Sequence, residues 1–312
     1  MTTRIRAQQP VGLGTIGWIH YHRSDNIENL DLNDEEVAIK EASLFYRAGG
    51  KTIVDLTNLG LGRDPQALAR ISRATGLNII MGSGYYREGS PRDAEMRAKS
   101  EEEIADDIVR DIMIGDYGIC AGIIGEIAAH LWPMSDVEAK SVRAAAQAQR
   151  ATGAAINIHP GETEESALEI LRVLGKAGAD ISRVVMSHPD RTGYSFDSMV
   201  EIAKAGCYVE LDIFGREGYY PLRWGVHEMP NDAQRVNHII RLADKGYLNQ
   251  ILMSHDICMK ANLTTYGGHG YTHIIENVIP WMRAKGMSEE EINTITVENP
   301  KRILTFVAPA NH

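Results

Sequence analysis

Five short stretches of this chain end in residues able to ligate a metal ion: His20-Tyr21-His22, Glu126 in GIIGEI, His159 in INIHPG, His188 in VVMSHPD and Asp256 in ILMSHD. Each ligand closes an apolar run and stands just before a loop. Imidazole and carboxylate ligands suit zinc first, with manganese, cobalt or iron as alternatives. The three cysteines, Cys120, Cys207 and Cys258, are far apart and form no CxxC pair, which excludes a thiolate site and a disulfide framework. Such a set could hold two cations, and cations of this kind activate water for hydrolysis.

Every piece also has a plainer reading. His20 and His22 are two apart, so on a strand both rings point to one face, yet an isolated HxH is more often solvent-facing or hydrogen-bonded than ligating. Glu126 ends an apolar strand, where a carboxylate is costly to bury unless it is paired or metal-bound. Alone it reads as half of an internal salt bridge; as a ligand, its two oxygens could bridge two cations. His159 and His188 close successive strands before proline, and their equivalent positions are what set them apart from ordinary core histidines. His255 and Asp256 alternate on their strand, so one of them faces the site; the ligand pattern selects Asp256 and leaves His255 structural. His269 and His273, four apart, would share a helix face, a weak hint of a second metal site.

These residues need a scaffold that brings strand ends together. Apolar, strand-like runs occur at 15–20, 51–56, 78–84, 122–127, 155–159, 183–188, 207–213 and 250–256. Helix-like stretches separate them, at 34–49, after Asp64-Pro65, and at 135–151, 163–176, 196–205 and 231–246, most ending in glycine. Eight strand–helix units predict a single (β/α)8 TIM barrel over residues 1–312, with its active site at the C-terminal ends of the strands. A doubly wound open sheet would carry a glycine-rich phosphate turn after the first strand, and none follows residue 20. The segments 215–230 and 258–275 read as long loops over the mouth.

Composition narrows the field. A net charge of −10 over 312 residues argues against a nucleic-acid or anionic-membrane surface. No run approaches the roughly 18 apolar residues of a membrane helix, and the first ten residues lack the apolar stretch of a signal peptide. With free thiols in apolar runs, the expectation is a soluble cytoplasmic protein.

From about residue 12 to 307 the chain resembles the phosphotriesterase-related proteins of the amidohydrolase superfamily. The motifs that carry the likeness are GGKTIVDLTNLGLGRDPQAL, GLNIIMGSGYYRE, AGIIGEI, HPG, SHPDRT, SHDICMK…YGGHGYTHI and VENPKRIL. The resemblance implies a binuclear centre of two divalent ions. His20, His22 and Asp256 would hold the buried metal, His159 and His188 the exposed one, and Glu126 would bridge them where some members use a carboxylated lysine. It also implies that a hydroxide shared by the two metals attacks the substrate while Asp256 takes the proton. The chain departs from the family in Tyr21 within the first motif, in Ala128-Ala129-His130 after GEI, and in Pro189 after His188.

The family acts on small molecules, and its members are often homodimers. A lactone or carboxyl ester is the expected substrate, with phosphotriesterase or amide hydrolase activity as alternatives. A catalytically silent ligand-binding homologue, or a mononuclear deaminase-like enzyme lacking a bridging carboxylate, are readings of other kinds. The expected substrate-binding residues are Tyr86, Arg191, Tyr219, Tyr220, Lys260 and Tyr266, whose phenols and cations suit an oxygen-rich or anionic ligand. Each has a plainer role as a loop-fixing contact.

Overall fold

A computed structural model describes residues 2–191, 193–219 and 228–310. Its central sheet has strands β1 (Thr52–Asp55), β2 (Asn78–Ser83), β3 (Ile123–Ala129), β4 (Ile156–Pro160), β5 (Val184–Met186), β6 (Tyr208–Leu211) and β9 (Ile251–Met253), in the order β1-β2-β3-β4-β5-β6-β9. Every pairing in it is parallel. Strands β7 (Gly218–Tyr219) and β8 (Glu228–Met229) form a separate two-stranded antiparallel ribbon. Helices connect the parallel strands, and Asp64, Ser100, Ser135, Ser195 and Asn231 cap their first turns through side-chain oxygens.

The expected first strand is a correction. Residues 15–20 do not enter the sheet: Ile16–Ile19 is a helical turn that continues through His20 (φ −54, ψ −31). TIGWIH is apolar enough for either state, and a run this short cannot decide between them. Its helical spacing is what packs: Ile19 is fully buried against Val11 and Ala261, and Trp18 stacks on His22 four residues on, with ring centroids 4.4 Å apart. β1 and β9 are therefore the two edges of the sheet. The described residues form a parallel sheet curled into a half-barrel, not the closed eight-stranded barrel expected from the sequence.

The concave face is built in layers. The period of two along each strand sends Ile124, Ile156, Ile158, Val184, Met186, Val209 and Leu211 out to the helices. Ile123, Ala155, Val185, Tyr208 and Leu252 face the other way in a floor of their own. Two residues further along β4 and β5 come Asn157 and Ser187, which bond to each other (2.9 Å) and to Glu210 of β6 (3.3 and 2.6 Å). Above that polar layer stand His159, His188 and Asp212.

Candidate metal centre

Two of the three central ligands reach this layer by breaking the alternation. Ile124 pairs with Ile156 and Ile127 with Ile158, so β3 uses three residues where β4 uses two. The extra residue is absorbed at Gly125-Glu126, and the bulge turns Glu126 toward the inner face while Ile124 and Ile127 both stay in the core. A side chain at Gly125 would lie 2.7 Å from the Asn157 carbonyl, so only glycine permits this close approach. His188 follows the inward-facing Ser187 and should point outward, but its left-handed backbone (φ 65) rotates the ring inward. Non-glycine residues rarely adopt that conformation, which costs on the order of 1–3 kcal/mol and collects at functional sites.

The three side chains converge on one point. Glu126 Oε1 lies 2.9 Å from His159 Nδ1 and 2.7 Å from His188 Nε2, and the two ring nitrogens are 3.0 Å apart. One ligand atom from each lies within 4.8 Å of the others, and all three residues are buried. Asp212 accepts from the His188 backbone N–H (3.2 Å) and from Nδ1 (3.0 Å), which leaves Nε2 as the nitrogen facing the cluster. Burial works against charge on His188, but Asp212 and Glu126 raise its pKa to about 10. Burial also opposes ionised Glu126, yet the two rings hold its carboxyl far below the usual carboxylate range. Two imidazole nitrogens with one carboxylate oxygen are a fitting donor set for zinc or a related divalent ion.

Several cations and phenols border the cluster. Arg191 Nη1 is 2.8 Å from His159 Nε2, and its Nη2 donates to the Pro160 carbonyl at 3.3 Å. The Tyr86 hydroxyl is 3.3 Å from His159 Nδ1. The His130 ring centroid is 6.5 Å from that of His159. Burial, then Arg87 and Arg191, lower its pKa to about 4, so its ring is neutral near pH 7.

The remaining expected site residues go elsewhere. His22 stacks on Trp18 and bonds to Asp25 (3.2 Å), and the exposed His20 ends the same helical turn, so the pair does not join Glu126, His159 and His188. Asp256 lies three residues beyond β9 with φ 44, so strand alternation no longer orients it; its carboxylate pairs with Arg216. His255 is structural, accepting the Ile274 N–H at 3.2 Å. Lys260 pairs with Glu28 (3.3 Å) and stands over the Tyr266 ring, which packs against the 11–19 segment. Both belong to the joint between the N-terminal segment and the 258–275 loop. Tyr220 and the side chain of Tyr219 lie outside the described residues. His273 pairs with Asp232 (2.6 Å), and the His255, His269 and His273 rings cluster at 5.5–6.3 Å without forming a ligand group.

The reading of the sequence missed Asp212, Asp190 and Arg216. Asp190 is fully buried; it accepts the backbone N–H groups of Asp212 (3.2 Å) and Ile213 (3.1 Å) and pairs with the equally buried Arg235. Asp212 carried the signal used for Glu126, a carboxylate closing an apolar strand. Asp190 follows the ligand histidine by two residues, and nothing local marks its role.

Fold and site together define an α/β protein whose parallel sheet, curled into a half-barrel, carries a group able to hold a cation at its strand ends. The Phosphotriesterase family model matches residues 18–304. A protein of Dictyostelium discoideum named N-acetyltaurine hydrolase is 44% identical over 293 residues, covering 93% of this chain and 78% of its own length. Among solved structures, a resiniferatoxin-binding protein of Rhodobacter sphaeroides is 33% identical with a TM-score of 0.89, covering 96% of this chain and 83% of its own. A mutant of a phosphotriesterase-like lactonase from Deinococcus radiodurans is 28% identical with a TM-score of 0.77, covering 88% and 89%. The chain belongs to the phosphotriesterase family and is a metal-dependent hydrolase.

Proposed function

We propose that this enzyme hydrolyses the amide of a small N-acyl amine bearing an anionic group, with N-acetyltaurine as the representative substrate. The likeness to N-acetyltaurine hydrolase, which runs through nearly the whole chain, carries this reading. The guanidinium of Arg191 against the Glu126–His159–His188 cluster agrees with it, since taurine derivatives carry a sulfonate.

Glu126, His159 and His188 would hold the divalent cation, with Asp212 fixing the His188 ring. A cation bound there supplies Lewis acidity toward the scissile carbonyl and toward water. Tyr86 borders the carbonyl position and can donate to it. Asp256 takes the proton of the attacking water and returns it to the departing amine, which is a poor leaving group unless protonated; Arg216 orients that carboxylate. Of the residues that the resemblance gave to a second cation, His22 is engaged by Trp18 and Asp25 and His20 ends the same turn at the surface, so this reading uses one cation at the cluster. Lys260 and Tyr266 act as loop anchors.

Lactone or carboxyl-ester hydrolysis is the second reading, favoured by the lactonase neighbour, and uses the same carbonyl chemistry. Zinc- or manganese-loaded enzyme should be offered N-acetyltaurine, N-acetylethylamine, γ- and δ-lactones, an aryl ester and a phosphotriester, with products followed by mass spectrometry. We expect kcat/KM for N-acetyltaurine at least about 100-fold above any lactone, equivalent to about 2.7 kcal/mol of transition-state discrimination. A lactone as the preferred substrate would replace the amide reading with the second one.

A further inference from the structure

The segment that follows β6 is gripped at five consecutive backbone N–H groups. Asp190 accepts from Asp212 (3.2 Å) and Ile213 (3.1 Å), and the Ser254 carbonyl accepts from Phe214 (3.3 Å). Asp232 accepts from Gly215 (3.0 and 3.2 Å), and the Ile213 carbonyl from Arg216 (3.1 Å). The two ends of this segment carry side chains that orient the site. Asp212 holds the His188 ring through Nδ1, and Arg216 pairs with Asp256.

One side chain joins these grips. Arg235 is fully buried on the helix Asp232–Leu242, and its Nε donates to Asp190 at 2.7 Å. Its Nη1 donates to the Arg216 carbonyl and to Asp232, both at 2.8 Å. The planar fork thus reaches both carboxylates that hold the segment's N–H groups, and the carbonyl at its far end. The helix is a firm base for it: an Asn231–Gln234 capping box opens it, and Val236, Ile239 and Leu242 lie in the core. Nη2 finds no acceptor among the described residues, and a buried ion pair is a weak source of net stability. What the arrangement does secure is geometry.

Resting on the roles given above to the cluster and to Asp256, we propose that Arg235 is a positioning residue for both halves of the site. Through Asp190 and Asp212 it sets the His188 ring that faces the cation. Through the Arg216 carbonyl it sets the guanidinium that orients Asp256. A lysine at this position keeps the charge but replaces the fork with a single nitrogen, which cannot serve the three acceptors where they stand.

The test compares Arg235→Lys, Asp190→Asn, Arg216→Lys and the control Val236→Ala, a cavity-forming change on the same helix. Chelator competition gives the zinc Kd, and kcat and KM are taken at saturating zinc with the preferred substrate of the panel above. For Arg235→Lys we expect zinc binding about 10–100-fold weaker, and kcat at least about tenfold lower with KM within about threefold. Asp190→Asn should reproduce the zinc loss, and Arg216→Lys the loss in kcat with zinc affinity kept. Adding Asp190→Asn to Arg235→Lys should weaken zinc by no more than about a further threefold, because both act along one path. Val236→Ala should leave both readouts within about threefold of wild type. Arg235→Gln, which loses the charge as well as the fork, is read in the same way should the lysine variant not fold. Wild-type zinc affinity or kcat in the Arg235 variant, fully additive zinc losses, or equal losses in Val236→Ala overturn the proposal. If wild-type enzyme turns over nothing in the panel, the hydrolase reading falls, and the zinc affinities alone decide this one.

Discussion

At the scale of single residues, the site rests on Glu126, a carboxylate that neither charge pairing nor solvent would otherwise justify in a buried apolar strand. Its two histidine neighbours supply the missing reason, and His159 and His188 were legible because they close consecutive strands at matching positions. His20 and His22 looked equally convincing by type and spacing. Their failure is physical: two residues apart share a face only on a strand, and here the pair sits on a helical turn whose apolar side chains are committed to Val11, Ala261 and Trp18. The double variant His20→Ala, His22→Ala is therefore expected to keep its metal content and to retain activity within about threefold of wild type. Metal analysis beside a rate assay checks this, and loss of a metal equivalent would restore the pair to the site.

The elements show where pattern reading works and where it stops. Continuous apolar runs located seven strands, and glycine stops with the Asp64 cap located most of the helices between them, because these signals are local. The helix Glu101–Met113 lies outside the stretches read from the sequence, although a Ser100–Glu103 capping box opens it. What the sequence does not display is the bulge at Gly125-Glu126 and the left-handed backbone at His188, which decide that two ligands face inward; each depends on the neighbouring strand. The 258–275 loop is another case. It is held by Glu41, fully buried, which accepts from the backbone N–H and hydroxyl of both Thr264 and Thr265 at 2.7–3.1 Å. Glu41→Ala leaves those donors unsatisfied and should cost about 3 kcal/mol. Urea denaturation measures the loss, and limited proteolysis should cut first within 258–275; unchanged stability would mean the loop is anchored by Asn29 and Glu28 instead.

Across the whole molecule, stability and function meet in the polar residues buried around the mouth. His269 lies against Gly215 with its Nε2 buried and unbonded, and burial followed by Arg216 lowers its pKa to about 3. A histidine depressed from 6.5 contributes fully above that value, and the contribution is lost as pH falls from 6.5 toward 3. Denaturation at pH 7.5 and pH 5 should therefore differ by up to about 2 kcal/mol from this group, and His269→Phe, which keeps an aromatic ring, should remove that part of the difference. An unchanged pH dependence would assign it to other groups. The family places the molecule among metal-dependent hydrolases, and the central claim is that Glu126, His159 and His188 hold its catalytic cation. The most direct measurement is an anomalous difference map at the zinc edge from crystals of the zinc-loaded protein. The account predicts a peak about 2.0–2.2 Å from Glu126 Oε1, His159 Nδ1 and His188 Nε2; a sole peak at His20 and His22, or zinc bound with none at the cluster, would contradict it.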